Sequence, residues 1–92
     1  MDFIVATIDL DSTFNPSYDT LDEVLAQYSL YTAHPKAFGP LPRNTYFGRL
    51  PAGVTVDQHA HAVFAAVRDA DLHPTRLMLA QTARDNVVTV TD

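Results

Sequence analysis

The chain has 92 residues, of which 47% are hydrophobic and 18% charged, with a net charge of −5. That length sets one domain around one modest core, and that balance excludes a disordered chain. Cysteine is absent, which excludes a disulfide framework and a cysteine-ligated zinc site, and no apolar run approaches the roughly 20 residues of a membrane span.

Residues 3–10, Phe-Ile-Val-Ala-Thr-Ile-Asp-Leu, read as a strand because they are apolar, partly β-branched and followed by turn formers. Ile4, Ala6, Ile8 and Leu10 fall on one face and Phe3, Val5 and Thr7 on the other. A strand apolar on both faces is expected to be central and covered twice. Residues 11–17 are a loop by composition. A helix is predicted over 18–30, with Tyr18, Leu21, Val24, Leu25 and Tyr28 at helical spacing. Its start is set by one of two capping pairs, Thr20 with Glu23 or Asp19 with Asp22.

Pro35, Gly39, Pro40 and Pro42 break residues 32–43 into a loop, with room for a short edge strand near Ala37-Phe38. Residues 44–50 read as the next strand, closed by the turn Pro51-Ala52-Gly53. A second helix is predicted over 56–70, opened by the capping box Thr55/Gln58. Its apolar stripe is Val56, Ala60, Val63, Phe64 and Val67, and Pro74 lies beyond its end. Residues 75–82 read as a strand and 86–90 as a last, shorter one. The resulting order is that of a single α+β domain, ferredoxin-like βαββαβ with an extra C-terminal strand, spanning 1–92. Two helices then cover one sheet face. The apolar Phe3 and Val5 on the other face predict a homodimer, formed through that face or through the C-terminal strand.

Charge is unevenly placed along the chain. Residues 1–23 carry six acids and no Lys or Arg, residues 24–56 carry Lys36, Arg43 and Arg49 and no acid, and residues 57–92 carry five acids and three arginines. In the basic middle third, Tyr31, Phe38, Tyr46 and Phe47 interleave with the cations. On a sheet, Arg43, Phe47 and Arg49 are the candidate nucleic-acid contacts, since aromatic rings stack bases and arginines hold phosphates. The competing reading is structural: one of Tyr46 and Phe47 fills the core and the arginines are solvated. The acidic net charge weighs mildly against non-specific nucleic-acid binding.

Asp9 and Asp11 at the end of the first strand are candidate metal ligands. Their structural alternative is turn chemistry, in which Asp side chains bond backbone N–H groups. His59 and His61 are two apart and so point in nearly opposite directions on a helix, leaving one of them in solvent. Asp57 and His61, four apart, can meet. No set of three or four convergent zinc ligands is spelled out. Ser12, Ser17 and Ser29 lie in no nucleophile-elbow motif, and the three glycines form no phosphate-cradling loop.

The run ending in Ile8-Asp9-Leu10 resembles the opening of the small ferredoxin-like CRISPR-associated adaptation subunits and their relatives, the virulence-associated protein D toxins. The order of elements continues the resemblance: Tyr18 to Leu25 as first helix, Asn44 to Leu50 as a strand, Thr55 to Gln58 opening a helix, Arg76 to Leu79 as a strand. The resemblance implies a homodimer. In the family's active nucleases it implies a catalytic Asp at the Asp9 position of each protomer, approaching a shared Mg²⁺ or Mn²⁺. Here position 8 is Ile where the family often has Tyr, and the 32–43 loop is longer and richer in proline.

The expectation is therefore a dimeric interaction module without catalysis or cofactor, a subunit or regulator in a defence, mobile-element or toxin–antitoxin setting. The alternative is a metal-dependent nuclease using Asp9 from both protomers. A small molecule in the helix–sheet cleft is a third class. A protein or a nucleic acid is the further partner to consider, and a membrane is not. The expected location is the cytoplasm, because cysteine is absent and Met1-Asp2-Phe3-Ile4 lacks a basic n-region.

Overall fold

The computed structural model describes residues 3–34, 39–40 and 44–83. They form an α+β fold with a four-stranded antiparallel sheet and two helices. Strand β1 (Phe3–Leu10) leads through one 3-10 turn, Ser12–Phe14, into helix α1 (Tyr18–Ala26). Two short strands follow, β2 (Leu30–Tyr31) and β3 (Ala33–His34), and β4 (Gly39–Pro40) pairs back on β3 as a separate two-stranded ribbon. Strand β5 (Thr45–Arg49), helix α2 (Val56–Asp69) and strand β6 (Pro74–Thr82) complete the order. The sheet runs β2-β5-β1-β6. β1 is antiparallel to both β5 and β6, and β2 is antiparallel to β5.

β1 is central, as its two apolar faces predict. Its even positions Ile4, Ala6 and Ile8 are buried beneath the helices. With Leu21 and Leu25 of α1, Leu30, Tyr46, Val63 and Val67 of α2, and Leu72 they make one continuous core. Burying side chains of this size contributes about 1.5–3 kcal/mol each for the larger aliphatics. The register places Tyr46 and Leu79 opposite Ala6, and Gly48 and Gln81 opposite Ile4.

Gly48 is set by close approach. A Cβ there would lie 1.6 Å from the carbonyl oxygen of Ser29, so any larger residue would push β2 off the sheet.

The helix termini differ from expectation in one case and match it in the other. α1 is capped by Ser17, whose side chain accepts from the Thr20 N–H at 3.3 Å. The cap lies upstream of both predicted pairs because Tyr18 and Asp19 already have helical geometry. α1 also ends at Ala26, four residues short of the predicted 30. The N–H groups of Tyr28 and Ser29 bond the carbonyls of Leu25 and Ala26, tightening the last turn, and Ser29 takes φ 62°. That reversal lets Leu30 enter the sheet as part of β2. The Thr55/Gln58 capping box of α2 forms with both bonds, at 3.0 and 3.1 Å.

At its other end α2 closes with a Schellman motif. The Asp71 N–H bonds the Arg68 carbonyl at 3.0 Å and the Leu72 N–H bonds the Val67 carbonyl at 3.4 Å, with Asp71 at φ 62°. Leu72 then drops into the core.

The stripe of α2 is rotated from the predicted one. His59, Val63 and Val67 are its buried residues, whereas Phe64 is only half-buried and outside the core cluster. His59 occupies the place that an all-apolar pattern would give to a hydrophobe. Its Nε2 lies 3.1 Å from the Tyr28 carbonyl. A carbonyl only accepts, so Nε2 carries the proton. The two rings meet edge to face at 5.9 Å. His61 is exposed, so the expected division of the pair is seen.

The expected edge strand at Ala37-Phe38 and the last strand at 86–90 lie outside the described residues. Among the described residues no helix is long and apolar enough to cross a membrane.

Candidate functional site

Both helices pack on the face of Ile4, Ala6 and Ile8. The second face of the sheet is built by the alternate positions: Phe3, Val5 and Thr7 of β1, Thr45, Phe47 and Arg49 of β5, Tyr31 of β2, and Met78, Ala80 and Thr82 of β6. It is strongly apolar for a face that carries neither helix. Phe3 and Phe47 stack across the strands, centroids 5.8 Å apart and rings 12° from parallel. Met78 is 63% exposed and Tyr31 48% exposed. Single exposed hydrophobes need no explanation; these two stand on opposite edge strands, with the buried Phe47 and the half-buried Phe3 and Val5 between them.

Of the three candidate nucleic-acid residues, Phe47 and Arg49 share this face, and Arg43 lies outside the described residues. Phe47 is 3% exposed, so its ring faces have little free area for stacking a base. Tyr46 projects the other way, into the core, and its hydroxyl donates to Asp22 Oδ1 at 2.5 Å. Tyr46 is thus the one of the two that fills the core, and Phe47 is buried on the opposite face. The exposed Met78 was not singled out by sequence; its alternation with Leu77 and Leu79 is the signal that places it there.

At the far end of β1 the chain turns a corner. Asp9 is exposed and lies opposite Arg76 in the register, just before a shift in pairing between Asp9 and Leu10. Thr75 Oγ1 donates to the Asp9 carbonyl at 3.3 Å. Two residues on, Asp11 caps the 3-10 turn. Its Oδ1 accepts from the Thr13 N–H at 3.0 Å and from the Thr13 hydroxyl at 2.6 Å. The hydroxyl bond, with the backbone bond behind it, holds the Asp11 carboxyl below the usual carboxylate range. The Asp11 N–H donates to the His73 carbonyl at 2.8 Å, and Phe14 stacks on the His73 ring at 3.8 Å. Asp71 Oδ1 lies 3.5 Å from His73 Nε2.

Asp9 and Asp11 therefore sit at one corner in different roles. Asp11 is engaged in turn chemistry. Asp9 points to the second face, with a guanidinium-bearing residue as its cross-strand neighbour. A hard divalent cation needs several oxygen ligands converging on one point. Among the described residues no group of three or more His, Asp or Glu side chains converges in that way.

Comparison with protein-family models, with curated proteins and with solved structures returned no match.

Proposed function

We propose that this chain is a small ferredoxin-like interaction module that works as a homodimer through the second face of its sheet, without catalysis. The strand order β2-β5-β1-β6, with one helix in each of the β1–β2 and β5–β6 connections, supports the ferredoxin-like assignment. The observation that carries the functional reading is the second face itself: Met78 is 63% exposed beside the half-buried Val5 and the Phe3–Phe47 stack. An isologous pairing of two such faces removes the same patch from water on both copies. Sedimentation at micromolar concentration is expected to give about twice 10.1 kDa. Met78→Lys is expected to return the monomer, since each copy then buries an unpaired cation. A wild type that sediments as a monomer would sink the reading. On this reading the module belongs to a defence, mobile-element or toxin–antitoxin system; that setting rests on the resemblance of the Ile8-Asp9-Leu10 segment and on the order of elements.

The alternative is a metal-dependent nuclease completed by Asp9 of both protomers. The observation that favours it is that Asp9 is exposed on the same face as the proposed dimer surface, so a two-fold axis near the β1 end brings the two carboxylates together. The pure protein is incubated with single- and double-stranded RNA and DNA, with and without Mn²⁺, beside Asp9→Asn. The expected result is no Mn²⁺-dependent cleavage. Cleavage that the variant loses would make the protein an enzyme and replace the first reading.

A further inference from the structure

The second sheet face is not uniform from edge to edge. On its β5 side Phe47 is 3% exposed and stacks on Phe3, so a partner there removes little further apolar area from water. On its β6 side Met78 is 63% exposed, Ala80 is exposed, and Val5, opposite Ala80, is half-buried. Tyr31, also exposed, stands apart on the short β2 beyond β5. Covering apolar surface stabilises in proportion to the area taken from water. On the strands β5, β1 and β6 that open area lies on the β1–β6 half.

The same half carries two opposite charges. Asp9 of β1 lies opposite Arg76 of β6, and Arg76 is two residues from Met78, on the same face. Directly opposed residues of an antiparallel pair have Cβ atoms roughly 5 Å apart. Among the described residues, however, these two side chains form no ion pair with each other or with another group. Both are exposed. The remaining charged residue described on this face, Arg49, lies opposite Phe3 at the other end.

We propose that the two-fold axis of the dimer runs along the strands, between β1 and β6, so that Asp9 of each copy pairs with the partner's Arg76. This arrangement rests on the dimer reading above and adds the geometry of the pairing. Rotation about such an axis exchanges the places of β1 and β6, so the contact between Asp9 and the partner's Arg76 is made twice. Met78 then covers the partner's Thr7, and Ala80 covers the partner's Val5, because these are the residues opposite them in the register. An axis across the strands at the level of Asp9 would instead set carboxylate on carboxylate and guanidinium on guanidinium, which an interface penalises. The charges fix how the two sheets are aligned, and the area around Met78 supplies the attraction. Each Asp9 is met by an arginine instead of by the second Asp9, which is incompatible with a metal ion shared between the two.

The test is sedimentation of the full chain over a range of concentrations, beside three variants at exposed positions whose fold is checked by circular dichroism. Asp9→Asn is expected to weaken the dimer roughly fivefold, because two contacts are lost at once. Asp9→Arg and Arg76→Asp each bring like charges together and are expected to weaken it further, by roughly twentyfold or more. An equimolar mixture of those two reversals is expected to restore association as a heterodimer, since each reversed charge then faces an opposite one on its partner. Tighter association of Asp9→Asn would show that Asp9 faces Asp9, and would overturn the axis. An unchanged dimer in all three variants would overturn it too, by placing both charges outside the interface. In either case the wild type still dimerises and the dimer reading stands, whereas a monomeric wild type fails both.

Discussion

The two faces of β1 are close in composition and opposite in fate. Ile4, Ala6 and Ile8 on one side are fully buried, with Leu21, Leu25, Val63 and Val67 packed over them. Phe3, Val5 and Thr7 on the other stay half-exposed, and their neighbour across the sheet, Met78, is mostly in water. Hydrophobicity alone therefore does not decide burial. The helices have one apolar stripe each, and two stripes suffice to cover one face of a four-stranded sheet. Neither helix lies on the second face, where Phe47 is nonetheless buried and Met78 is 63% exposed; that exposed edge is what the proposal of association rests on.

The sharpest way to break that comparison is a pair of truncations. Leu25→Ala, on the covered side, is expected to cost about 2–5 kcal/mol in a denaturant melt, from lost transfer energy and the cavity left behind. Met78→Ala, on the second face, is expected to change the stability of the monomer by no more than about 0.5 kcal/mol while weakening self-association. Similar losses at both positions in dilute protein would mean that the second face is core.

A smaller effect tests how the covered face is locked to the helix above it. Tyr46→Phe keeps the buried ring and removes the hydroxyl that bonds Asp22. Asp22 is only half-buried and regains water, so the expected loss is about 1–2 kcal/mol by the same melt. A neutral result would show that the bond is replaced by solvent at no cost.

The smallest effect belongs to the corner where β1 leaves both faces. The Thr13 bonds depress the folded-state pKa of Asp11. A depressed carboxyl adds stability that is fully present above its unfolded pKa, about 3.9, and is lost as pH falls through the folded value. A ¹³C titration should therefore show Asp11 protonating at lower pH than an unperturbed Asp. Thr13→Val should move its midpoint upward, because the hydroxyl bond is the larger cause. An unmoved midpoint would show that the hydroxyl is not what depresses Asp11.

Much of the fold is legible in the sequence because its signals are local. The apolar, partly β-branched run of β1, the Thr55/Gln58 box and the apolar stretch Leu77–Ala80 each report on a few neighbouring residues, and each element lies where they put it to within a residue or so. The errors fall where a distant element intervenes. α1 gives up its last predicted turn because Ser29 must reverse and let Leu30 meet Gly48. α2 is rotated so that His59, bonded to the Tyr28 carbonyl just past the end of α1, is buried with Val63 and Val67, and Phe64 is left half-buried. A histidine in that role has no sequence signal, since its acceptor lies thirty-one residues away.

The candidate sites follow the same division. Sequence by itself determined that Asp11 stands next to turn formers, that Phe47 and Arg49 share a strand face, and that β1 has two apolar sides. These are consequences of chain periodicity and side-chain chemistry. Only the tertiary structure decided which of the two sides the helices cover, that Phe47 is buried on the other, and that Arg76 stands opposite Asp9 on that same face. Those outcomes depend on strand order and register, which are set by packing between residues far apart in the chain.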